Sequence, residues 1–156
     1  MAEHAQVRTR TGLQTAALTV AVIFLLLGVL GFVPGITTDY GELRFAGPDS
    51  GAKLFGLFQV SFLHNILLLG SGLAGLMLAR RVGGARVFLT VGGALTLGLW
   101  LYGFAIDRES SANVIPVNEA DNWLHLGVGF AMLVLGLLLS NQKGTGGQLD
   151  TPLDRP

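Results

Sequence analysis

Two histidines, His64 and His125, and the carboxylate of Asp121 are the side chains here best suited to holding a metal or moving a proton, and all three stand at or within apolar stretches. Around them lie Gln59, Asn65, Asn118 and Asn122, a polar cluster with few counterparts elsewhere in the hydrophobic part of the chain. Ionisable groups in an apolar segment are costly to bury and therefore mark function or a specific packing contact. Two imidazoles can be the axial ligands of one haem, or two nitrogen ligands of a metal ion completed by Asp121 or Glu119. They can equally donate to carbonyls or to Asn and so fix the pairing of two helices. A histidine pair is also the usual pH-sensitive gate of a small cavity. Neither histidine has a third ligand four residues on, which favours the hydrogen-bonding role. No cofactor is therefore expected, with haem or a metal ion at His64 and His125 as the alternative.

The elements that position these groups follow from composition. Hydrophobic residues make up 51% of the 156 residues and charged ones only 13%, about half the share usual in soluble domains. The apolar residues gather into four uncharged runs, 13–33, 54–79, 87–106 and 123–140, each long enough to cross a bilayer as a helix. The first run is too long for a signal-peptide core and leads into Pro34, so it reads as a retained helix. The expected fold is an all-α membrane protein, an antiparallel bundle of four transmembrane helices over residues 13–140. A segment 1–12 precedes it and a disordered tail 141–156, rich in Gly, Thr, Asp and Pro, follows. The short connection 80–86, with Gly83 and Gly84 as its turn, predicts that helices two and three are antiparallel neighbours.

Charge sets the expected orientation. Of the ten basic residues, Arg8, Arg10, Arg80, Arg81, Arg86, Lys143 and Arg155 lie at the ends or in the short connection, whereas the two longer loops hold only Arg44, Lys53 and Arg108. Lys and Arg are retained on the cytoplasmic side during insertion, so both termini are expected in the cytoplasm of a bacterial cell, with the chain in its plasma membrane. The long loops, 34–53 and 107–122, carry most of the acidic residues and form an acidic outer face. A net charge of zero gives no basic surface for nucleic acid.

Small residues point to close helix packing. Gly70, Ser71, Gly72, Ala74 and Gly75 supply the spaced pairs Gly70/Ala74 and Ser71/Gly75, and Ala94/Gly98 adds another on helix three. Contact within one bundle is expected before contact between copies. Laying Phe62–Leu63–His64 over Trp123–Leu124–His125 suggests two hairpin repeats. The absence of cysteine excludes disulfides, thiolate metal sites and thiol-based quinone chemistry. No phosphate loop, nucleophile elbow or zinc-protease helix occurs.

The segment from Leu54 to Asn65, ending Phe–Leu–His64–Asn65, and the segment from Pro116 to Gly127, with Asn118, Asp121, Asn122, Trp123 and His125, carry a family resemblance. Together they resemble the actinobacterial four-helix membrane proteins of the domain-of-unknown-function family 4383. The resemblance implies a four-helix membrane fold over about residues 13–139 and no assigned activity. In that family a second histidine often follows the first by four positions, where this chain has Leu68, and the departure weakens the case for a ligand at His64. Together these features predict a non-enzymatic accessory or assembly subunit, surrounded by lipid and associating with its own copies or a larger membrane complex. The rival readings are a haem- or metal-binding redox protein and a small cation channel or transporter.

Overall fold

Each helix begins where the sequence offers a side chain to cap it, and these caps move the boundaries away from the edges of the uncharged runs. The computed structural model describes residues 10–110 and 112–139, so the expected disordered tail and most of the N-terminal segment lie outside the described residues. Helix α1 spans Gly12–Leu30, α2 Phe62–Leu78, α3 Val82–Ala105 and α4 Glu119–Leu138. Thr11 and Gln14 close α1 with a reciprocal capping box, and Asn118 and Asp121 close α4 in the same way. The charged first turn of α4 therefore belongs to the helix, which starts at Glu119 rather than Trp123.

The largest departure is at helix two. Residues 54–59, expected as its first turns, form part of a small antiparallel sheet of β1 Thr37–Thr38, β2 Lys53–Leu54 and β3 Phe58–Gln59, in the order β1-β2-β3. Phe55 and Gly56 take the left-handed conformation at φ 55° and 69°, so the chain reverses between β2 and β3 instead of continuing a helix. Helix α2 then starts after Ser61, whose hydroxyl accepts from the His64 N–H. The Phe62 and Leu63 N–H groups are taken up by the carbonyls of Arg44 and Phe45, so the loop seals the helix end. At the other end, α3 begins at Val82 and includes Arg86. Gly83 and Gly84 are thus helical, not a turn: Gly84 is where the α3 backbone comes up against the Leu78 carbonyl.

The helices pair as α1 with α2 and α3 with α4, while α2 and α3, joined by a short turn, touch little. Both pairs are antiparallel. Gln14 of α1 donates to the carbonyls of Ala79 and Arg80 beyond the end of α2, at 3.0 and 3.1 Å, and Gly28 and Gly31 face Leu69 and Asn65 near its start. In the second pair Gly136 faces Leu89 and Thr90, and Gly103 faces Asn122.

One packing pattern is used twice. Gly72 of α2 abuts the Ala21 carbonyl and the Leu25 side chain of α1, and Gly129 of α4 abuts the Gly93 carbonyl and the Leu97 side chain of α3. Asn65 lies against Gly31 as Asn122 lies against Gly103. Asn65 and Asn122 each stand four residues after their helix cap, and Gly72 and Gly129 each eleven. The hairpins therefore correspond with Ser61 over Asn118, His64 over Asp121 and Leu68 over His125, a different register from the one expected by laying His64 over His125.

Three helices, α1, α3 and α4, are long and apolar enough to cross a membrane, and α2, at 17 residues, is shorter. Their outward faces are apolar, with Leu95, Phe104, Phe130 and Leu138 each well over half exposed. Such surface is what a lipid solvent, rather than water, leaves uncovered. The buried core gathers toward the short-turn end, around Leu13, Ala17, Ala21, Phe88, Leu89 and Met132. A second small core, Ala52, Leu54 and Val60, lies under the loop cap.

Candidate functional site

The cap holds α4 in place through one carboxylate. Oδ2 of Asp121 accepts from the Gln59 N–H at 3.0 Å and from the Asn118 N–H at 2.9 Å, while the Asn118 side-chain amide donates to the Leu57 carbonyl at 2.7 Å. These bonds tie the β2–β3 hairpin to the first turn of α4. Gln59 is thus a strand residue, and its side chain donates to the Ser50 carbonyl.

Below this knot, α2 and α4 diverge and leave a cavity of about 290 Å³, near the lower end of the roughly 300–1,000 Å³ usual for ligand pockets. His64, Leu67, Leu68 and Ser71 of α2 face Asp121, Leu124, His125 and Val128 of α4 across it, position for equivalent position in the two hairpins. Phe24 and Leu27 of α1 and their counterparts Thr96 and Leu99 of α3 supply further walls. The wall residues Ile23 and Leu67, both of the α1–α2 hairpin, are nearly half exposed, so the cavity is a cleft open to the side rather than an enclosed hole. Its ionisable groups, His64, Asp121 and His125, collect at the cap end, and Ser71 and Thr96 are its other polar wall residues.

The two imidazoles meet there, with ring centroids 6.1 Å apart and planes 23° apart. His125 is 8% exposed and Asp121 2%. Nδ1 of each histidine is sealed from solvent and has no hydrogen-bond partner among the described residues. His64 turns its other edge to the Pro116 carbonyl. No hydrogen bond reaches Nε2 of His125 or Oδ1 of Asp121 among the described residues, and both residues line the cavity. No three His, Cys, Asp or Glu residues come together as a metal shell among the described residues, so Asp121 and Glu119 do not complete one around the histidine pair. Two imidazoles alone make half of a tetrahedral site.

The rest of the predicted cluster is divided between other contacts. Asn65 turns to α1 and Asn122 to α3, each against a glycine, and neither bridges α2 and α4. The amide oxygen and nitrogen of Asn65, and the amide oxygen of Asn122, have no hydrogen-bond partner among the described residues. Neither asparagine makes an interhelical hydrogen bond among the described residues, whereas His64 meets the Pro116 carbonyl just ahead of α4. It follows that Asn65→Leu, which keeps the branching but removes two unpaired polar atoms, should leave stability unchanged within about 1 kcal/mol or raise it. Unfolding in detergent checks this, and a loss well above that figure would reveal a bond to Asn65.

Of the small residues, Gly72 and Gly75 are buried in helix contacts, with Gly75 against Ala21 and Phe88. Gly70, Ala74, Ala94 and Gly98 face outward, and added methyls at Gly70 and Gly98 would meet open space. Ser71 lines the cleft. The contacts that sequence spacing missed are Gly28, Gly31, Gly93, Gly103, Gly129 and Gly136. For Gly31, Gly103 and Gly129 the signal is the correspondence between hairpins, Gly31 with Gly103 and Gly72 with Gly129, which only the correct register discloses.

Over residues 14–138, from the start of α1 to the end of α4, the chain matches the family model described as Domain of unknown function (DUF4383). The chain belongs to that family. No curated protein and no solved structure matches it. The DUF4383 match takes in both hairpins, the cap and every residue of the cleft, so this site sits wholly inside the family domain.

Proposed function

We infer that this DUF4383 protein is a non-enzymatic accessory protein of the bacterial plasma membrane that holds a small lipophilic molecule, taken sideways from the bilayer, between its two helix hairpins. The observation that carries this reading is the cleft itself. It is walled mostly by apolar side chains, has exposed residues such as Ile23 and Leu67 in its wall, and gathers its ionisable groups, His64, Asp121 and His125, at the cap end. Arg10, Arg80, Arg81 and Arg86 at the short-turn end support a cytoplasmic position for that end, and the length of α2, within the roughly 17–25 residues a span needs, supports a fourth crossing. The cap and the polar end of the cleft then lie at the outer interface.

A bound guest should survive gentle purification. Native mass spectrometry and solvent extraction of the purified protein are expected to show a co-purified lipophile. Filling the cleft from both sides with Ser71→Phe and Val128→Phe, at equivalent positions, should abolish it while leaving the melting temperature equal or higher. Equal amounts with the wild-type and the filled variant would show that the lipid is annular and refute the reading. An absorption spectrum of the same sample addresses the haem alternative, for which a Soret band is the signature. The outward faces Gly70/Ala74 and Ala94/Gly98 are the surfaces available for another copy or a larger complex.

A further inference from the structure

Resting on that reading, we propose that the cleft selects an uncharged lipophile with a hydroxyl head, held between Oδ1 of Asp121 and Nε2 of His125, with its chain leaving through the side opening. Asp121 and His125 are four residues apart on α4, so they lie one above the other about 6 Å apart on one helix face. Both are more than nine-tenths buried, both line the cavity, and the carboxylate bonds of Asp121 use its other oxygen, which leaves the two atoms named without a hydrogen bond among the described residues.

Their chemistry differs in a way that fits one head group. A carboxylate oxygen only accepts, whereas an imidazole Nε2–H donates. A hydroxyl does both, giving its proton to Asp121 and accepting from His125. The carboxylate's other oxygen is fixed by two backbone N–H groups, and its place in the first turn of α4 puts it in the field of the helix N-terminus, where a negative charge is favoured. Asp121 is therefore fixed in position before any guest arrives. An anionic head would meet this carboxylate with no cation lining the cavity to offset it. A phosphate head would meet the same repulsion. An ammonium would match Asp121 but face the His125 donor. An ether would leave Asp121 unpaired, and leaving a buried acceptor unpaired is costly. At about 290 Å³ the cavity takes the head and the first part of one chain, and the rest lies in the bilayer.

The test is a set of probes with one chain and four heads, measured on the full chain in nanodiscs: oleyl alcohol, methyl oleyl ether, oleate and oleylamine. Competition against radiolabelled oleyl alcohol should give the alcohol an affinity at least about tenfold above the other three. In Asp121→Asn, an amide oxygen can still serve the Gln59 and Asn118 N–H groups while an amide N–H replaces the acceptor in the cavity. There the alcohol should lose its advantage over the ether, and methyl oleate, with its carbonyl acceptor, should gain. His125→Phe should weaken the alcohol several-fold and the ether less. Equal binding of all four heads by the wild-type protein would overturn the head assignment and leave the lipophile reading standing. Preference for oleate or oleylamine would overturn it as well, and no binding of any probe would remove both proposals.

Discussion

Gly129→Val is expected to cost about 3 kcal/mol in unfolding free energy, the upper part of the range for overpacking a closed interface. A Cβ at Gly129 would come within 2.9 Å of the Leu97 backbone nitrogen and 3.0 Å of the Gly93 carbonyl oxygen. A Cβ at Gly93 would meet the Gly129 carbonyl and the Leu133 nitrogen, each at 2.9 Å. These are backbone atoms of the facing helix, so no side-chain rotation relieves the contact and the helices must separate. The equivalent Gly72 meets the Ala21 carbonyl at 2.8 Å, and Gly72→Val should behave alike. Gly70→Ala and Gly98→Ala should be neutral or slightly favourable, because their methyls enter open space and alanine is the better helix former by about 1 kcal/mol. Denaturation in detergent micelles measures all four. Equal losses at Gly129 and Gly98 would mean that α3 and α4 do not cross where these glycines place them.

That contrast shows what was legible in the sequence and what was not. Uncharged length disclosed four helices, because excluding charge from a long segment is a one-dimensional property that needs no knowledge of neighbours. Their boundaries were less legible. Residues 54–59 are as apolar as the helix that follows, and only the left-handed Phe55 and Gly56, with the bonds that hold the hairpin, make them a turn between strands. Helix α4 starts four residues earlier than its uncharged run because Glu119 and Asp121 are favourable in a first turn, where hydropathy counts them as solvent. Small-residue spacing points to α2 as a packing helix, but of its pairs Gly70/Ala74 faces outward and only Gly75 of Ser71/Gly75 is in a helix contact, since the pattern small-xxx-small does not say which face carries it. Gly72 and Gly129 become visible once both hairpins are counted from their caps.

The chemistry followed the same division. His64 and His125 do come together, and Asp121 stands with them at the cavity's polar end. Asn65 and Asn122 were grouped with them by closeness in sequence. A helix turns 100° per residue, however, so the residue after His64 faces α1 and the residue after Asp121 faces α3. The N3 and N7 positions of α2 and α4 line the cleft, and the N4 positions line the hairpin contacts. Two layers of the bundle thus draw on one short motif, and the division between them is the division between binding and packing.

Asp121 belongs to both layers, and its replacement by an apolar residue should therefore have the largest local effect. Asp121→Leu leaves the Gln59 and Asn118 N–H groups without their acceptor at a buried site, about 1–3 kcal/mol each, and removes half of the α4 capping box. These contributions overlap, and a total of about 4 kcal/mol is expected. The loss should be local before it is global. Amide hydrogen exchange at Gln59 and Asn118 should accelerate by orders of magnitude, because among the described residues the Asn118 side-chain bond to Leu57 is then the one hydrogen bond tying the β2–β3 hairpin to the start of α4. Asp121→Asn retains an acceptor for both N–H groups and loses only the charge at the helix start, a difference of about 1 kcal/mol. Exchange at Gln59 should stay slow in that variant. Should the leucine and asparagine variants melt and exchange alike, the cap is held by its own small core of Ala52, Leu54 and Val60. The Asp121 carboxylate would then be free to serve the cleft alone, and its burial would be explained by what it binds rather than by what it holds.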